Sequence, residues 1–309
     1  MADIVVVGSL NMDLVVQVER MPAPGETLRG GDLQTIPGGK GANQAAAAQR
    51  LGCEVAMVGR VGADAFGPQL KNNLQDQGVD VTHVQIDDQA ASGTALILVE
   101  RNGENSIVIS PGANGQLGTQ DVARSRDLIE AARILLLQFE IPLQAVSAAI
   151  RVARQHGVRV ILNPAPAQQV PPELLAQVDI LAPNESELHI LTGMKTDSLQ
   201  AVEQAACKLL DMGVPALVVT LGAQGALLAT SDKVRHVPGI RVEVVDTTAA
   251  GDAFIAGLAT ALLQDYDLEQ AVQYANCAGA LATTKFGAQP SLPNAVEVTS
   301  CFQTRGQLS

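Results

Sequence analysis

Apolar residues in this chain follow two patterns. The first is a short unbroken run, such as the Ile-Val-Val-Val of residues 4–7, which is closed by Gly8. A β-branched run with no polar alternation is buried on both faces, as in a central strand of a parallel sheet. Similar runs predict strands at 54–58, 134–139, 159–162, 180–182 and 216–220. The second pattern has helical spacing and is rich in Ala and Leu. It predicts helices over 39–51, 68–77, 121–131, 143–156, 172–176, 185–191, 199–212, 252–264 and 268–283. Strands alternating with helices at this spacing predict an α/β fold, with a mostly parallel central sheet covered on both faces. Segments 226–230 and 234–237 follow too closely for a crossover helix and predict an antiparallel pair at one edge.

Two stretches break the rhythm. Residues 14–18 read as a strand and are followed by Pro22, Pro24, Gly25, Gly30 and Gly31. Segments 95–100 and 106–110 flank Arg101-Asn102-Gly103-Glu104-Asn105, where the Asn-Gly pair predicts a hairpin turn. Together they predict a small β-sheet laid over one end of the main layers. No repeat, linker or low-complexity tract divides the chain. The polar tail 303–309 is expected to fray.

Composition narrows the chemistry. Aromatic residues make up only 2% and Trp is absent, so the core must be built from Ala, Val, Leu and Ile. The formal charge of -12 and the lack of any Lys/Arg run disfavour nucleic acid as a partner. Cys53, Cys207, Cys277 and Cys301 are scattered without a CxxC pair, which suits free thiols in a reducing compartment. Neither a signal peptide nor a membrane span is evident, so a cytoplasmic location is the default expectation. The four histidines make no zinc-binding spacing, and no GxSxG elbow is present.

The richest motif is Asp246-Thr-Thr-Ala-Ala-Gly-Asp252, directly before an apolar helical run. The open N–H groups of a helix N-terminus hold anions, here around Ala249, Ala250 and Gly251. Asp252, on the first turn, is suited to act as a base beside a phosphate. That pairing points to phosphoryl transfer to a hydroxyl. Gly38-Gly-Lys-Gly-Ala-Asn43 offers close backbone approach with a cation and an amide, but lacks P-loop spacing. Asn11 and Asp13 lie two apart and project to one side of an extended chain, where they suit two sugar hydroxyls. Glu140 closes a strand, at the end where α/β sites form. Asn184-Glu-Ser-Glu187 reads either as a capping box or as a polar group near Mg²⁺ and phosphate. Thr220-Leu-Gly-Ala-Gln-Gly225 permits a tight turn, with or without a nucleotide against it.

Taken together, these segments resemble the PfkB-type carbohydrate kinases, and the ribokinases among them, over nearly the whole chain. Gly38 to Gln44 and Asp246 to Phe254 carry the family signatures. Asn11, Asp13 and Gly287-Ala-Gln-Pro-Ser291 match the ribokinases in particular. The resemblance implies one three-layer α/β/α ribokinase-like domain over 1–309, with lid segments at about 12–37 and 93–110. It implies ATP-dependent phosphorylation of D-ribose at O5. Asn11, Asp13, Gly39, Lys40, Asn43 and Glu140 match sugar-side positions. Asp252 matches the catalytic base, and Ala249, Ala250 and Gly251 the anion hole. Asn184, Glu187, Thr220, Gly222, Ala223, Gly225, Gly251 and Asn276 match nucleotide-side positions for ATP with Mg²⁺. Ala223 replaces an expected small hydroxyl residue, and Asn276 stands where some ribokinases carry histidine. The resemblance also implies an activating K⁺ near Asp246, Thr248, Ala282, Lys285, Gly287 and Ser291, and a homodimer formed through the lid. A sister kinase acting on another sugar or a nucleoside stays open, as does a sugar-binding protein without turnover.

Overall fold

The computed structural model of the chain describes residues 2–101 and 105–306; residues 102–104 of the expected hairpin turn and the end of the tail lie outside the described residues. In chain order the strands are β1 (Ile4–Val7), β2 (Asn11–Val18), β3 (Gln34–Gly38), β4 (Val55–Gly62), β5 (Val84–Asp87), β6 (Gly93–Glu100) and β7 (Asn105–Ser110). They continue with β8 (Ile134–Leu137), β9 (Arg159–Leu162), β10 (Ile180–Leu181), β11 (Ala216–Thr220), β12 (Gly225–Thr230) and β13 (Val234–Pro238). The helices are α1 (Lys40–Arg50), α2 (Phe66–Asp76), α3 (Thr119–Arg124), α4 (Arg126–Glu130), α5 (Leu143–Gln155) and α6 (Pro172–Leu175). After them come α7 (Glu185–Thr192), α8 (Leu199–Asp211), α9 (Ala250–Leu263), α10 (Leu268–Ala282) and α11 (Ala295–Gly306).

Nine strands form the central sheet in the order β13-β12-β11-β10-β9-β8-β1-β4-β5. All neighbours are parallel except β11-β12 and β12-β13, the expected antiparallel edge. β1 is fully buried along its length, between β4 and β8. Its side chains alternate between two cores: Ile4 and Val6 face one, Val5 and Val7 the other. The first core takes in α1, α2, α9, α10 and α11, and the second α3 to α8. Scarce aromatics leave the helices smooth and close-packed. A Cβ on Gly257 of α9 would lie 2.9 Å from the Ala278 side chain of α10.

The small sheet runs β3-β2-β6-β7. β2 and β6 are parallel, and the outer pairs antiparallel. Its first strand begins at Asn11 rather than at residue 14, so Asn11 and Asp13 lie within it. Three further expectations need correction. The helix over 121–131 is broken at Ser125 into α3 and α4. The strand over 134–139 ends at Leu137, where the chain turns toward Glu140. The tail is helical through Gly306, because Phe302 of α11 packs on Tyr266 and Tyr274 with ring centroids 5.4 and 5.7 Å away. That contact is tertiary and leaves no strong period in the tail's own sequence. β5 has only four residues, too few for an alternating hydrophobic pattern to mark it in the sequence.

Candidate active site

The site forms where β1, β8 and the small sheet end against the N-termini of α1 and α9. Glu140, just past β8, lies over the first turn of α1. Its Oε2 accepts from Ser9 Oγ at 2.6 Å, the Lys40 backbone N–H at 3.1 Å and Asn11 Nδ2 at 3.4 Å. A carboxylate here satisfies an otherwise open helix donor and is favoured by the dipole. Gly39, the residue before α1, adopts φ 89°, and a Cβ there would sit 2.7 Å from the Asn11 nitrogen. Glycine is therefore required both by conformation and by the closeness of β2.

Asn11 is fixed from behind. Its Oδ1 accepts from Asn114 Nδ2 at 2.7 Å, while Asn114 Oδ1 takes the Leu10 N–H at 2.9 Å. Asp13, on the same face of β2, is buried beside Glu140 and Asp252. Burial, followed by repulsion from those two carboxylates, pushes its pKa up to about 7. Lys40 lies among acids. Burial works against its charge, but Asp252, Glu140 and Glu187 outweigh it and raise the ammonium above its ordinary range.

Asp252 occupies the first turn of α9 and is only 5% exposed. Its Oδ2 accepts from Asn43 Nδ2 at 3.0 Å and its Oδ1 from Gln44 Nε2 at 3.1 Å. Asn43 Oδ1 is buried without a partner among the described residues, a free acceptor beside the carboxylate. Ala249, the residue before α9, has φ 60°. That left-handed turn costs alanine roughly 1–2 kcal/mol and faces the next N–H groups outward. Among the described residues the N–H groups of Gly251 and Asp252 meet no acceptor, and that of Ala250 makes a 3.3 Å contact with Thr247 O. A Cβ on Gly251 would meet nothing within 4 Å, so open space lies before this terminus. A buried carboxylate, open donors and empty space together suit a reacting phosphoryl group and a hydroxyl.

A cavity of about 510 Å³ runs from that terminus, lined by Gly225, Ile240, Val242, Val244, Phe254 and Ala280 among others. Thr220, Gly222, Ala223, Gly225, Gly251 and Asn276 line it too. Its mostly apolar walls suit a flat heterocycle. Gly225 has φ 98°, and a Cβ there would lie 2.2 Å from Val237 O. Asn276 Nδ2 reaches the carbonyls of Val237 and Pro238, both at 3.3 Å. Asn184 and Glu187 form the full capping box of α7: Asn184 donates to both Glu187 carboxylate oxygens, at 2.8 and 2.9 Å. Glu187 nonetheless senses Lys40 and Asp252, and burial raises its pKa. The capping-box reading of this motif is thus realised, with Glu187 also within electrostatic reach of Lys40 and Asp252.

Behind the α9 terminus, Asp246 Oδ1 accepts from the Thr248 N–H and hydroxyl at 2.9 and 2.7 Å. Its Oδ2 accepts from the Gly287 N–H at 2.8 Å. Ser291 is buried and donates to Ala288 O, and Ala282 ends α10. The Lys285 ammonium is engaged with Glu297 at 3.0 Å. Oxygen donors with a single carboxylate fit a large monovalent cation better than Mg²⁺. Among the described residues no cluster of three or more His, Cys, Asp or Glu is placed to hold a metal. A divalent ion would depend on nucleotide phosphates for most of its ligands.

The description "pfkB family carbohydrate kinase" matches residues 1–295. The chain belongs to this family. A ribokinase of Haemophilus influenzae is 43% identical over 292 residues, covering 94% of this chain and 95% of that protein. A deoxyribokinase of Salmonella typhi is 40% identical over 293 residues, covering 94% and 96%. The structure of Arabidopsis thaliana ribokinase complexed with ribose and ATP superposes with a TM-score of 0.90 at 36% identity, covering 98% of this chain and 99% of that one.

Membership accounts for the signatures but leaves out several side chains that hold the site. Ser9, Gln44, Asn114 and Gln138 carry no role in the sequence reading, yet they tie Glu140, Asp252 and Asn11 in place. Gln44 lies inside the Gly38–Gln44 signature, which is its one local signal. Gln138 is a single polar residue inside the apolar run 134–139, with nothing local to assign it a partner.

Proposed function

We propose that this protein phosphorylates D-ribose at O5 with ATP, giving D-ribose 5-phosphate and ADP. The observation that carries the reading is Asp252, a buried carboxylate on the open N-terminal turn of α9. It stands between the polar group Asn11, Asp13 and Asn43 and the apolar cavity. Similarity over nearly the full chain to ribokinases supports the sugar.

Ribose lies under the small sheet, which acts as a lid on a single catalytic domain. Asn11, Asp13, Asn43 and Glu140 receive its hydroxyls, while the Gly39 backbone permits close approach. ATP occupies the cavity along Thr220–Gly225 and Asn276, with its phosphates directed at the α9 terminus. Asp252 takes the proton from O5 as that oxygen bonds to the γ-phosphorus. The bond from the γ-phosphorus to the β–γ bridging oxygen breaks, and ADP leaves. The Gly251 and Asp252 N–H groups, with those of Ala249 and Ala250, meet the developing charge, and Lys40 adds a cation. Mg²⁺, when bound with ATP, neutralises phosphate charge. The loop bearing Asp246, Thr248, Ala282, Lys285, Gly287 and Ser291 would hold an activating K⁺, whose positive charge would add to that of the α9 terminus. The lid's outer strand β7 is exposed along its whole length, with Ile107 and Val108 turned to solvent. An apolar edge of this kind suits pairing with a second lid in a homodimer. Free cysteines suit a cytoplasmic setting. No helix among the described residues is long and apolar enough to cross a membrane.

The deoxyribokinase relatives give a second reading, with 2-deoxyribose as the preferred sugar. Product-resolved turnover with Mg·ATP on ribose, 2-deoxyribose, fructose and nucleosides separates the readings. Ribose 5-phosphate as the main product, with Asp252→Asn losing at least about 10³-fold in kcat, is the expected result. Preference for another sugar overturns the substrate assignment, and an active Asp252→Asn variant overturns the base.

A further inference from the structure

Beneath the proposed base lies a buried amide network to which the reading above gives no task. Gln44 and Gln138 are fully buried, and Asn163 is nearly so. Gln44 Nε2 donates to Asp252 Oδ1 at 3.1 Å and lies 3.4 Å from Asn163 Oδ1. Gln44 Oε1 accepts from Gln138 Nε2 at 2.7 Å. Asn163 Nδ2 donates to Ala182 O at 2.9 Å, which anchors the far side to the residue just past β10. A carboxylate can only accept, so it dictates which end of the Gln44 amide faces it. That choice dictates in turn how Gln138 must lie. Gln138 Oε1 is then turned toward Gly8, where a Cβ would stand 2.2 Å away, and it has no donor among the described residues. A buried unpaired acceptor is costly. Apolar side chains of the same size would avoid that cost, so packing alone does not explain the network.

We propose that Gln44, locked by Gln138 and Asn163, is a positioning residue that orients the Asp252 carboxylate for proton abstraction. The proposal rests on Asp252 being the base. With Oδ1 tied down by Gln44, the carboxylate cannot rotate about its own axis. Oδ2, shared with Asn43 on the sugar side, is the oxygen left to meet O5–H. Asn43 thus links sugar and base, whereas Gln44 touches the base from within the core and meets no ligand.

Three variants test this with the intact protein. Gln44→Met keeps the length and removes the amide. Its kcat should fall about 10²-fold, the scale expected for a misplaced catalytic group. Its KM values for ribose and ATP should change less than about threefold, since no ligand contact is lost. Gln44→Glu is isosteric but sets a second carboxyl against Asp252. The two would share a proton, and the acidic limb of the kcat–pH profile should move up by about one pH unit or more. Asp252→Asn is the control. If it stays active, the base assignment itself fails. If it is inactive while Gln44→Met keeps kcat within about threefold, only the positioning role is overturned. An unmoved acidic limb in folded Gln44→Glu overturns it too. That variant also decides the matter if Gln44→Met does not fold.

Discussion

Replacing Asp13 with asparagine tests whether the sugar side is built at the expense of stability. In the free protein Asp13 is 9% exposed, and its pKa stands at about 7 instead of the usual 3.8. A shift of that size corresponds to about 4 kcal/mol between the protonation states. The folded state binds this proton more tightly than the unfolded chain does. The contribution to stability is therefore complete below pH about 4 and is lost as pH rises to about 7. At pH 8 the free protein carries the whole penalty, and Asp13→Asn should melt several degrees higher. Sugar binding should show the complementary dependence. If only the ionised carboxylate accepts ribose hydroxyls, it is available in about a tenth of molecules at pH 6 and in about nine-tenths at pH 8. The ribose Kd, titrated calorimetrically without nucleotide, should thus be about tenfold weaker at pH 6 than at pH 8. In Asp13→Asn binding should be weak at both, with no such trend. Equal Kd values at pH 6 and 8 for the unaltered protein would refute the argument, as would an Asp13→Asn variant that keeps the pH dependence.

Three further outcomes follow from the geometry. Gly251→Ala places its methyl in open space, so the melting temperature should hold or rise slightly. Turnover should fall about 10²–10³-fold as the methyl crowds the phosphoryl position, and full activity would sink the anion-hole assignment. Asp246→Asn weakens the loop that joins Thr248 to Gly287, so any advantage of KCl over NaCl in turnover and in melting temperature should shrink toward none. On the proposed lid-to-lid pairing, the unaltered protein should have a dimer's mass in light scattering and Val108→Lys on the exposed lid strand a monomer's; the same mass for both would overturn that pairing.

The backbone plan was largely legible along the chain. Doubly buried strands read as unbroken β-branched runs, and the helices between them as Ala- and Leu-rich periods, because burial selects side chains directly. Asp252 stood out for a local reason: a glycine and small residues before an apolar helix expose backbone donors beside an acid. Asn11 and Asp13 were legible as a same-side pair through strand alternation alone. Other features depended on partners distant in the chain. The helix pinned by Phe302 follows from tertiary packing that its own segment does not encode, and Ser125, where α3 and α4 part, meets His83 Nδ1 at 2.9 Å from 42 positions away. Gln138 and Asn114 read as incidental polar residues until folding brings them to Gln44 and Asn11, 94 and 103 positions away. The high pKa of Asp13 has the same origin. Three carboxylates, from the starts of β2 and α9 and the end of β8, share one buried space, and neither burial nor repulsion exists until the chain has closed around them. Sequence by itself determined the layers and the helix terminus that carries Asp252, since those depend on neighbours within a few residues. Only the tertiary structure decided how Asp252 is held and where Asp13 titrates, since those depend on long-range contacts and a low-dielectric interior.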